Sequence, residues 1–584
     1  MTAGYHGRAL RIDVSAGIGE FIPLEPAFLR STVGGVGLGV GILLREQAAG
    51  IDPLTPDAPL IFVFSPLVGS PLTTSAKFAV VGRSPLTGRL NDSLASSGFA
   101  IAGKRCGCDA LILVGRAARL SVLVIDDGVV RLESADDLQG LSTRETQVAL
   151  RQRFGNEFSA ATIGPAGERQ VRYATISHDG RHAGRGGSGA VLGAKNLKAI
   201  VVRGSQRVQW ADQEALMRIS RDLSQRSFGP ATAKYRELGT ASNLLVFNRL
   251  HVLPTRNFQQ GSFEAAEMVS PEELSTARER SRSSCAACTI GCEHLYGMKS
   301  GSAPVRLEYE NLFALGPLCG ISDPEVILQA SQLCDDAGID TISAGGTIAF
   351  AMECAERGFL NEPWLRFGKG PALLQALQLI VTQEGLGQKL ARGSRWLANE
   401  IGHDTLAFAP QVKGLEIPGY DPRGLQMMAL GFAVGSRGAD HNRSGAYEVD
   451  FSDAVDRHRG DPNAVSLAIE TEDKAALMDS LILCKFLRGV FTDFYAEAAE
   501  ILRAVTGWDV TDDELRQTAQ HIIESKKRFN ILAGWTPEED TLPERMLSTA
   551  LPDDPAASLS KEHLQALVRA YNVARGWTED GFLE

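Results

Sequence analysis

Gly184-Arg185-Gly186-Gly187-Ser188-Gly189, followed by Ala190 to Leu197 and the apolar run Ala199-Ile200-Val201-Val202, is the stretch on which the fold turns. It formally matches G-x-G-x-x-G, the phosphate-binding turn of dinucleotide folds. That fold needs a helix opening from the glycines and an acid about twenty positions later. Here only Ala190 to Leu197 precede the next strand, Gly193 and Asn196 interrupt them, and no acid stands at the required place. The dinucleotide reading fails. Two readings remain: a loop whose backbone N–H groups face an anion, with Arg185 as a planar fork for phosphate, or a tight turn between strands.

Upstream of this loop the chain is rich in short apolar runs punctuated by Gly, Pro, Asn and Asp, as strands and turns require. Leu60 to Phe64, Ala79 to Val81, Ala110 to Val114 and Ser121 to Ile125 are examples. Downstream of Gly204 the pattern becomes helical. Ser270-Pro271-Glu272-Glu273 reads as a capped helix start, and Asp323-Pro324-Glu325 opens a helix expected to end at Gly338. Long amphipathic stretches are expected over 343–357 and 371–402, and a Gly/Pro-rich passage from Gly414 to Gly424 breaks the helical part. The expected organisation is α+β: a β-rich domain over 1–205, then mainly helical domains over 206–415 and 416–584.

The 584 residues are 44% hydrophobic and 22% charged, with net charge −11 and no basic block. That excludes nucleic acid and anionic lipid as expected partners, because both need clustered Lys and Arg. No apolar run is long enough to span a membrane. The N-terminus lacks the basic-then-apolar pattern of a secretory signal, so a cytoplasmic protein is expected. Nine cysteines, an odd number, do not suggest a disulfide framework.

Three of them form Cys285-Ala286-Ala287-Cys288-Thr289-Ile290-Gly291-Cys292, a C-x2-C-x3-C run. Such spacing lets thiolates converge on one inorganic core, and a four-iron cluster needs a fourth ligand from elsewhere. Zinc is the rival, since C-x2-C also opens zinc knuckles; the lack of a second C-x2-C pair favours iron–sulfur. Two similar hexapeptides lie further along, Asp335-Asp336-Ala337-Gly338-Ile339-Asp340 and Asp479-Ser480-Leu481-Ile482-Leu483-Cys484. Each begins with a carboxylate able to accept two parallel hydrogen bonds, as the amidine-like edge of a pterin would offer.

Taken in order with Ser84-Pro85-Leu86-Thr87-Gly88, Ile163 to Glu168, Gly193 to Ala199, Glu308-Tyr309-Glu310 and Gly438-Ala439-Asp440-His441, these residues resemble the aldehyde:ferredoxin oxidoreductase family of tungsten enzymes nearly end to end. The resemblance implies a β-rich base carrying a tungsten (or molybdenum) bis-pyranopterin, with Mg2+ linking the pterin phosphates and helical domains closing over it. Ala183, Gly184, Arg185, Gly186, Asp335, Asp340, Asp479, Leu483 and Arg443 would bind the cofactor. Cys484 would complete a [4Fe-4S] cluster with Cys285, Cys288 and Cys292. Glu310 and His441 are the implied acid–base residues, the first activating water and the second holding the aldehyde oxygen.

The implied activity is reversible oxidation of an aldehyde to a carboxylic acid, with electrons passing to ferredoxin or a ferredoxin-like subunit of a hetero-oligomer. The alternatives are a benzoyl-CoA reductase-type catalytic subunit reducing an aromatic thioester, and a non-catalytic electron-transfer protein. Two departures stand out. Ile482 occupies a place where many relatives have Gly, so its turn is expected to differ. The helix Glu325 to Gln332 has no histidine for the iron that bridges archaeal dimers, so no such bridge is expected.

Overall fold

The computed structural model describes residues 2–584. Its first third holds two six-stranded sheets. The first is built from β1 (Arg8–Asp13), β2 (Ile18–Pro23), β3 (Leu60–Val63), β4 (Lys77–Arg83), β5 (Leu90–Ser96) and β6 (Ala110–Val114), in the order β2-β1-β6-β3-β4-β5. The second holds β7 (Ser121–Asp126), β8 (Val129–Ser134), β9 (Ser159–Thr162), β10 (Ile176–His178), β11 (Arg181–Ala183) and β12 (Leu197–Arg203), in the order β11-β10-β9-β12-β7-β8. Each sheet contains one parallel pair, β1 with β6 and β7 with β12; the other pairings are antiparallel. Two hairpins turn on Asp-Gly. Asp127-Gly128 joins β7 to β8 and Asp179-Gly180 joins β10 to β11, all four residues at positive φ, the turn whose twist suits paired strands. The second hairpin delivers the chain to the glycine loop.

The sheets share one core, with Leu10, Phe62, Phe78 and Leu111 from the first meeting Leu123, Ile176 and Ile200 from the second. The outer face of the first sheet packs on a helix that the sequence pattern does not announce, Gly35–Arg45. Its alternating glycines resemble a loop, yet they serve close packing. A Cβ on Gly35 would lie 2.3 Å from the carbonyl oxygen of Asp479, so this helix approaches the C-terminal part of the chain backbone to backbone.

After Arg203 the chain is mainly helical, as expected. Ser270 caps the helix Pro271–Ala277 by accepting from the Glu273 N–H, and Pro324–Ala337 ends at Gly338 in the left-handed conformation. The two long amphipathic stretches are different in kind. Thr341–Glu356 is buried on every side from Thr341 to Ala355, so it is a central helix without a polar face. Residues 371–402 divide into Gly370–Thr382, Leu386–Leu390 and Ser394–Ile401, broken where Gln383, Gly385 and Gly393 take positive φ. The glycine loop also departs from expectation: a short helix, Ser188–Ala194, does open directly from Gly187. It ends before β12, too short for the dinucleotide pattern. Among the described residues no helix is long and apolar enough to cross a membrane.

Candidate active site

The β10–β11 hairpin, the end of β5 and three segments of the helical part surround a cavity of about 360 Å³. Its walls carry seven cations, Lys77, Arg181, Arg185, Arg306, Arg437, Arg443 and Lys485, against three carboxylates, Glu308, Asp440 and Asp479. In a chain of net charge −11 this is a strong local reversal, and clefts lined by one sign of charge concentrate the opposite sign. The cavity suits a large anion.

The glycine loop divides its work. A Cβ on Gly187 would sit 2.0 Å from the Arg172 carbonyl oxygen, so this glycine is demanded by packing. Gly184 lines the cavity, and a Cβ there would meet nothing within 4 Å, so protein packing does not demand a glycine there; the open space lies toward the cavity. Gly186 gives its carbonyl to the Ser84 hydroxyl at 2.8 Å. Ala183 ends β11 next to the loop. Arg185 donates to the carbonyls of Ala439 (2.7 Å) and Glu416, tying the loop to the far side of the molecule, while its Nε lies 3.5 Å from Asp340.

Of the other expected cofactor residues, Arg443, Asp479 and Leu483 line the cavity, whereas Asp335 and Asp340 stand one residue behind it. Asp335 accepts from Arg306 at 3.1 Å, and Asp340 caps the helix Thr341–Glu356 through the Ser343 N–H. Asp479 is flanked by Lys485 (2.9 Å) and Arg443 (3.3 Å). Sequence reading misses Asp92. It is fully buried on β5, meets Arg437, Arg443 and Lys526, and these cations outweigh burial to hold its carboxyl far below the usual range. One strand carboxylate thus anchors two arginines of the cavity. A lone Asp amid Leu90-Asn91-Asp92-Ser93 carries no spacing signal.

Cys285, Cys292 and Cys484 open onto one end of the same cavity, and Cys288 lies within charge range of Cys285 and Cys484. All four are half-buried; the other five cysteines are buried and all nine are unpaired. Thr74 fastens the run to the remote cysteine. Its N–H donates to the Ala287 carbonyl (2.6 Å) and its hydroxyl accepts from the Cys484 N–H (3.2 Å). Among the described residues no three of His, Cys, Asp or Glu form a group close enough to hold a single metal ion.

Against this cavity, sharing Glu308, Asn442 and Phe486 as common wall, lies a second of about 630 Å³. It is aromatic: Tyr235, Phe247, Tyr309, Tyr420, Tyr447 and Phe451 line it. At its inner end Glu310 Oε1 and His441 Nδ1 stand 3.5 Å apart, and neither atom has any other partner. Glu310 Oε2 accepts from the Gly419 N–H at 3.1 Å. Burial, with Asp440 and Asp340 nearby, pushes the Glu310 carboxyl up to about 8 despite that N–H and Arg185. Burial, with Arg185, pulls His441 down to about 3 against the opposing charge of Asp440. At neutral pH both are uncharged. The Asn442 amide donates to His441 Nε2 at 2.9 Å, which leaves Nδ1–H directed at Glu310. The pair lies next to Asn442, one of the residues that the two cavities share.

Several buried polar atoms around the first cavity make no hydrogen bond, Arg185 Nε, Arg306 Nε, Arg437 Nε and Nη2, and Asp479 Oδ2, although all but Arg437 Nη2 have an opposite charge within 4.0 Å. Buried groups of this kind need partners. Donors on one wall and a carboxylate oxygen on the other fit a polar, phosphate-bearing heterocycle such as a pterin.

The chain is similar along nearly its whole length to known proteins. The N-terminal domain of aldehyde ferredoxin oxidoreductase matches residues 9–204, and domains 2 and 3 match residues 215–584. The tungsten-containing aldehyde ferredoxin oxidoreductase of Pyrococcus furiosus is 35% identical, over 99% of this chain and 97% of that protein. The WOR-like subunit of aliphatic sulfonate oxidoreductase from the same organism is 28% identical, over 99% and 95%. Among solved structures, the active-site complex BamBC of benzoyl coenzyme A reductase with 1,5-dienoyl-CoA superposes with a TM-score of 0.85 at 22% identity, covering 100% of this chain and 96% of that one. That last likeness shows the fold.

Proposed function

Since this chain belongs to the aldehyde ferredoxin oxidoreductase family, we propose that it oxidises an aldehyde to a carboxylic acid at a tungsten–pterin centre and passes the electrons through a [4Fe-4S] cluster to ferredoxin or a ferredoxin-like subunit. The observation that carries the reading is the shared wall: a cationic, thiol-ended cavity beside an aromatic one, with the Glu310–His441 couple at the junction. In this reading Cys285, Cys288, Cys292 and Cys484 hold the cluster. Ala183, Gly184, Arg185, Gly186, Arg443, Asp479 and Leu483 would hold the pterins directly, with Asp335 and Asp340 set behind them, and Mg2+ would neutralise phosphate charge. The bound metal–pterin group supplies the acceptor for the electron pair released when aldehyde and water become acid and two protons.

The protein's own part is positioning and proton handling. The aromatic wall holds an apolar aldehyde and excludes bulk water. His441 Nδ1–H faces Glu310 Oε1 across 3.5 Å and would turn to the carbonyl oxygen of an aldehyde entering between them, polarising the carbon toward water. Glu310, once unprotonated, accepts the proton that water gives up. Because its carboxyl is held near 8, the base form grows as pH rises toward that value. A cytoplasmic location belongs to the same proposal, supported by nine unpaired cysteines.

The test is anaerobic purification followed by metal analysis and viologen-coupled assays with aldehydes and, separately, with an aromatic coenzyme A thioester. Tungsten with a full four-iron complement and aldehyde-dependent dye reduction is expected. Protein lacking both tungsten and molybdenum, or acting only on the thioester, would overturn the reading.

A further inference from the structure

Outside the cavities, one surface gathers three arginines beside the cysteine run. β13 (Arg280–Ser283) leads straight into the cysteine run and is the edge of a three-stranded sheet with β14 (Glu293–Tyr296) and β15 (Val305–Arg306). All four β13 residues are exposed, and its outer backbone edge is unpaired. Arg280 and Arg282 project from it. The Arg282 side chain lies against Gly291 of the cysteine run and donates to the Arg236 carbonyl at 3.4 Å. Among the described residues no carboxylate lies within 4.0 Å of a nitrogen of Arg236, Arg280 or Arg282. Glu237 and Glu279, the exposed acids beside them, pair with neither.

An apolar centre completes the patch. Phe228 is 58% exposed, and the Arg236 guanidinium lies 4.6 Å from its ring centroid. The neighbouring Ser227 hydroxyl meets Thr289 at 2.6 Å, which fixes Phe228 to the loop that bears the thiols. Arg236 and Arg280 hydrogen-bond to carbonyls and hydroxyls of Ser227, Gly229, Thr232, Glu237 and Ser275 rather than to carboxylates, so their charge is not neutralised locally, and an unpaired strand edge is usually shielded.

We propose that this surface docks an acidic, ferredoxin-like iron–sulfur protein. Phe228 forms the contact centre, Arg236, Arg280 and Arg282 form the charged rim, and the half-buried thiols lie directly behind. The inference rests on the electron-transfer reading above. One aldehyde yields two electrons, which leave singly through the cluster, so a one-cluster carrier docks twice per aldehyde and a two-cluster carrier can take both. Opposite charge across an interface chiefly raises the rate of encounter and makes it salt-dependent.

The test uses the holoenzyme, a purified acidic ferredoxin with two four-iron clusters, and methyl viologen as a small acceptor needing no docking surface. Arg280→Glu/Arg282→Glu should lower ferredoxin-coupled turnover more than tenfold at low salt and abolish ferredoxin binding in titration calorimetry. Viologen-coupled turnover and iron content should stay within twofold. Arg280→Lys/Arg282→Lys should retain binding, and Phe228→Ser should weaken it. Unchanged ferredoxin binding in the Glu variant, or equal loss in the Lys variant, would overturn the proposal. If the unmodified enzyme oxidises no aldehyde with either acceptor, the activity is refuted, while ferredoxin binding still decides the surface.

Discussion

The hexapeptides Asp335–Asp340 and Asp479–Cys484 end their helices in the same way and then part company. In each, the fourth residue is left-handed, Gly338 at φ 74° and Ile482 at φ 63°. In each, the next N–H reaches back to the same relative carbonyl: Ile339 to Cys334 and Leu483 to Met478, both at 2.9 Å. The backbone turn is common property. The sixth residue is where they diverge. The first hands on Asp340, a cap for a buried helix that lies 3.5 Å from Arg185 on the Glu310 side; the second hands on Cys484 among the thiols. A shared way of stopping a helix thus places a carboxylate behind Arg185 on one side of the cavity and a thiol on its wall at the other.

The comparison breaks most severely at Cys484. If the second hexapeptide exists to deliver a thiol, Cys484→Ala should lose cluster iron and its visible absorption, with electron transfer abolished. Cys334→Ser, buried one turn before the first hexapeptide's turn, should keep both. A full iron complement and unchanged spin-resonance signal in Cys484→Ala would remove the fourth thiol from the argument.

At the other end, Glu310→Gln keeps the shape and the Gly419 contact but removes the base, so turnover should fall about 10²–10⁴-fold with metal retained. The pH profile is the sharper reading. With the carboxyl at about 8, activity of the unmodified enzyme should climb toward that pH, and the Gln variant should be flat there. The stability sign is opposite. The folded state holds a proton that the unfolded chain releases above its ordinary value near 4.5, so stability falls as pH rises between 4.5 and about 8, and Glu310→Gln should remove that slope. An unaltered activity profile in the variant would eliminate Glu310 as the base.

The cysteine run, both hexapeptides and the two helix caps are legible in the sequence because their signals are local: fixed spacings and turn residues with one mechanical meaning. The glycine-rich helix Gly35–Arg45 is not, because its glycines mimic a loop and their reasons lie in packing partners, Asp479 for Gly35, Val81 for Gly39 and Phe28 for Gly41. Asp92 and Thr74 are invisible for the same cause. Each is an ordinary residue whose partners, Arg437, Arg443 and Lys526 for one and Ala287 and Cys484 for the other, meet it only after folding. The central helix Thr341–Glu356 is legible as a helix but not as a buried one, since Thr, Ser and Glu can be buried when the surrounding protein satisfies them: Glu353 pairs with Arg545 and accepts from Asn257 at 2.6 Å.

The turn itself supplies two smaller tests. Gly338→Ala places a Cβ at positive φ, 3.1 Å from the Gly164 nitrogen. The conformation alone costs about 1–2 kcal/mol, and the contact adds to it. Local opening measured by amide hydrogen exchange at Ile339 should become easier by about that amount or somewhat more. Protection unchanged at Ile339 would mean that the left-handed turn does not require Gly there.

Ile482 is the stranger case, because a β-branched residue at positive φ is uncommon. The departure from Gly leaves the turn intact, so something offsets the strain. Ile482 is completely buried, and its Cγ1 fills the space beside Gly35, 2.7 Å from where a Cβ on that glycine would stand. Ile482→Gly would release about 1–2 kcal/mol of backbone strain. It would also give up about 1.5–3 kcal/mol of side-chain burial and about 0.5–1 kcal/mol through the greater freedom of Gly in the unfolded chain. The balance favours Ile by about 1.5 kcal/mol, so protection at Leu483 should fall modestly, with cluster iron unchanged. If Ile482→Gly instead gained protection, burial against the glycine-rich helix would not be what holds this turn, and the two hexapeptides would differ in backbone energetics as well as in cargo.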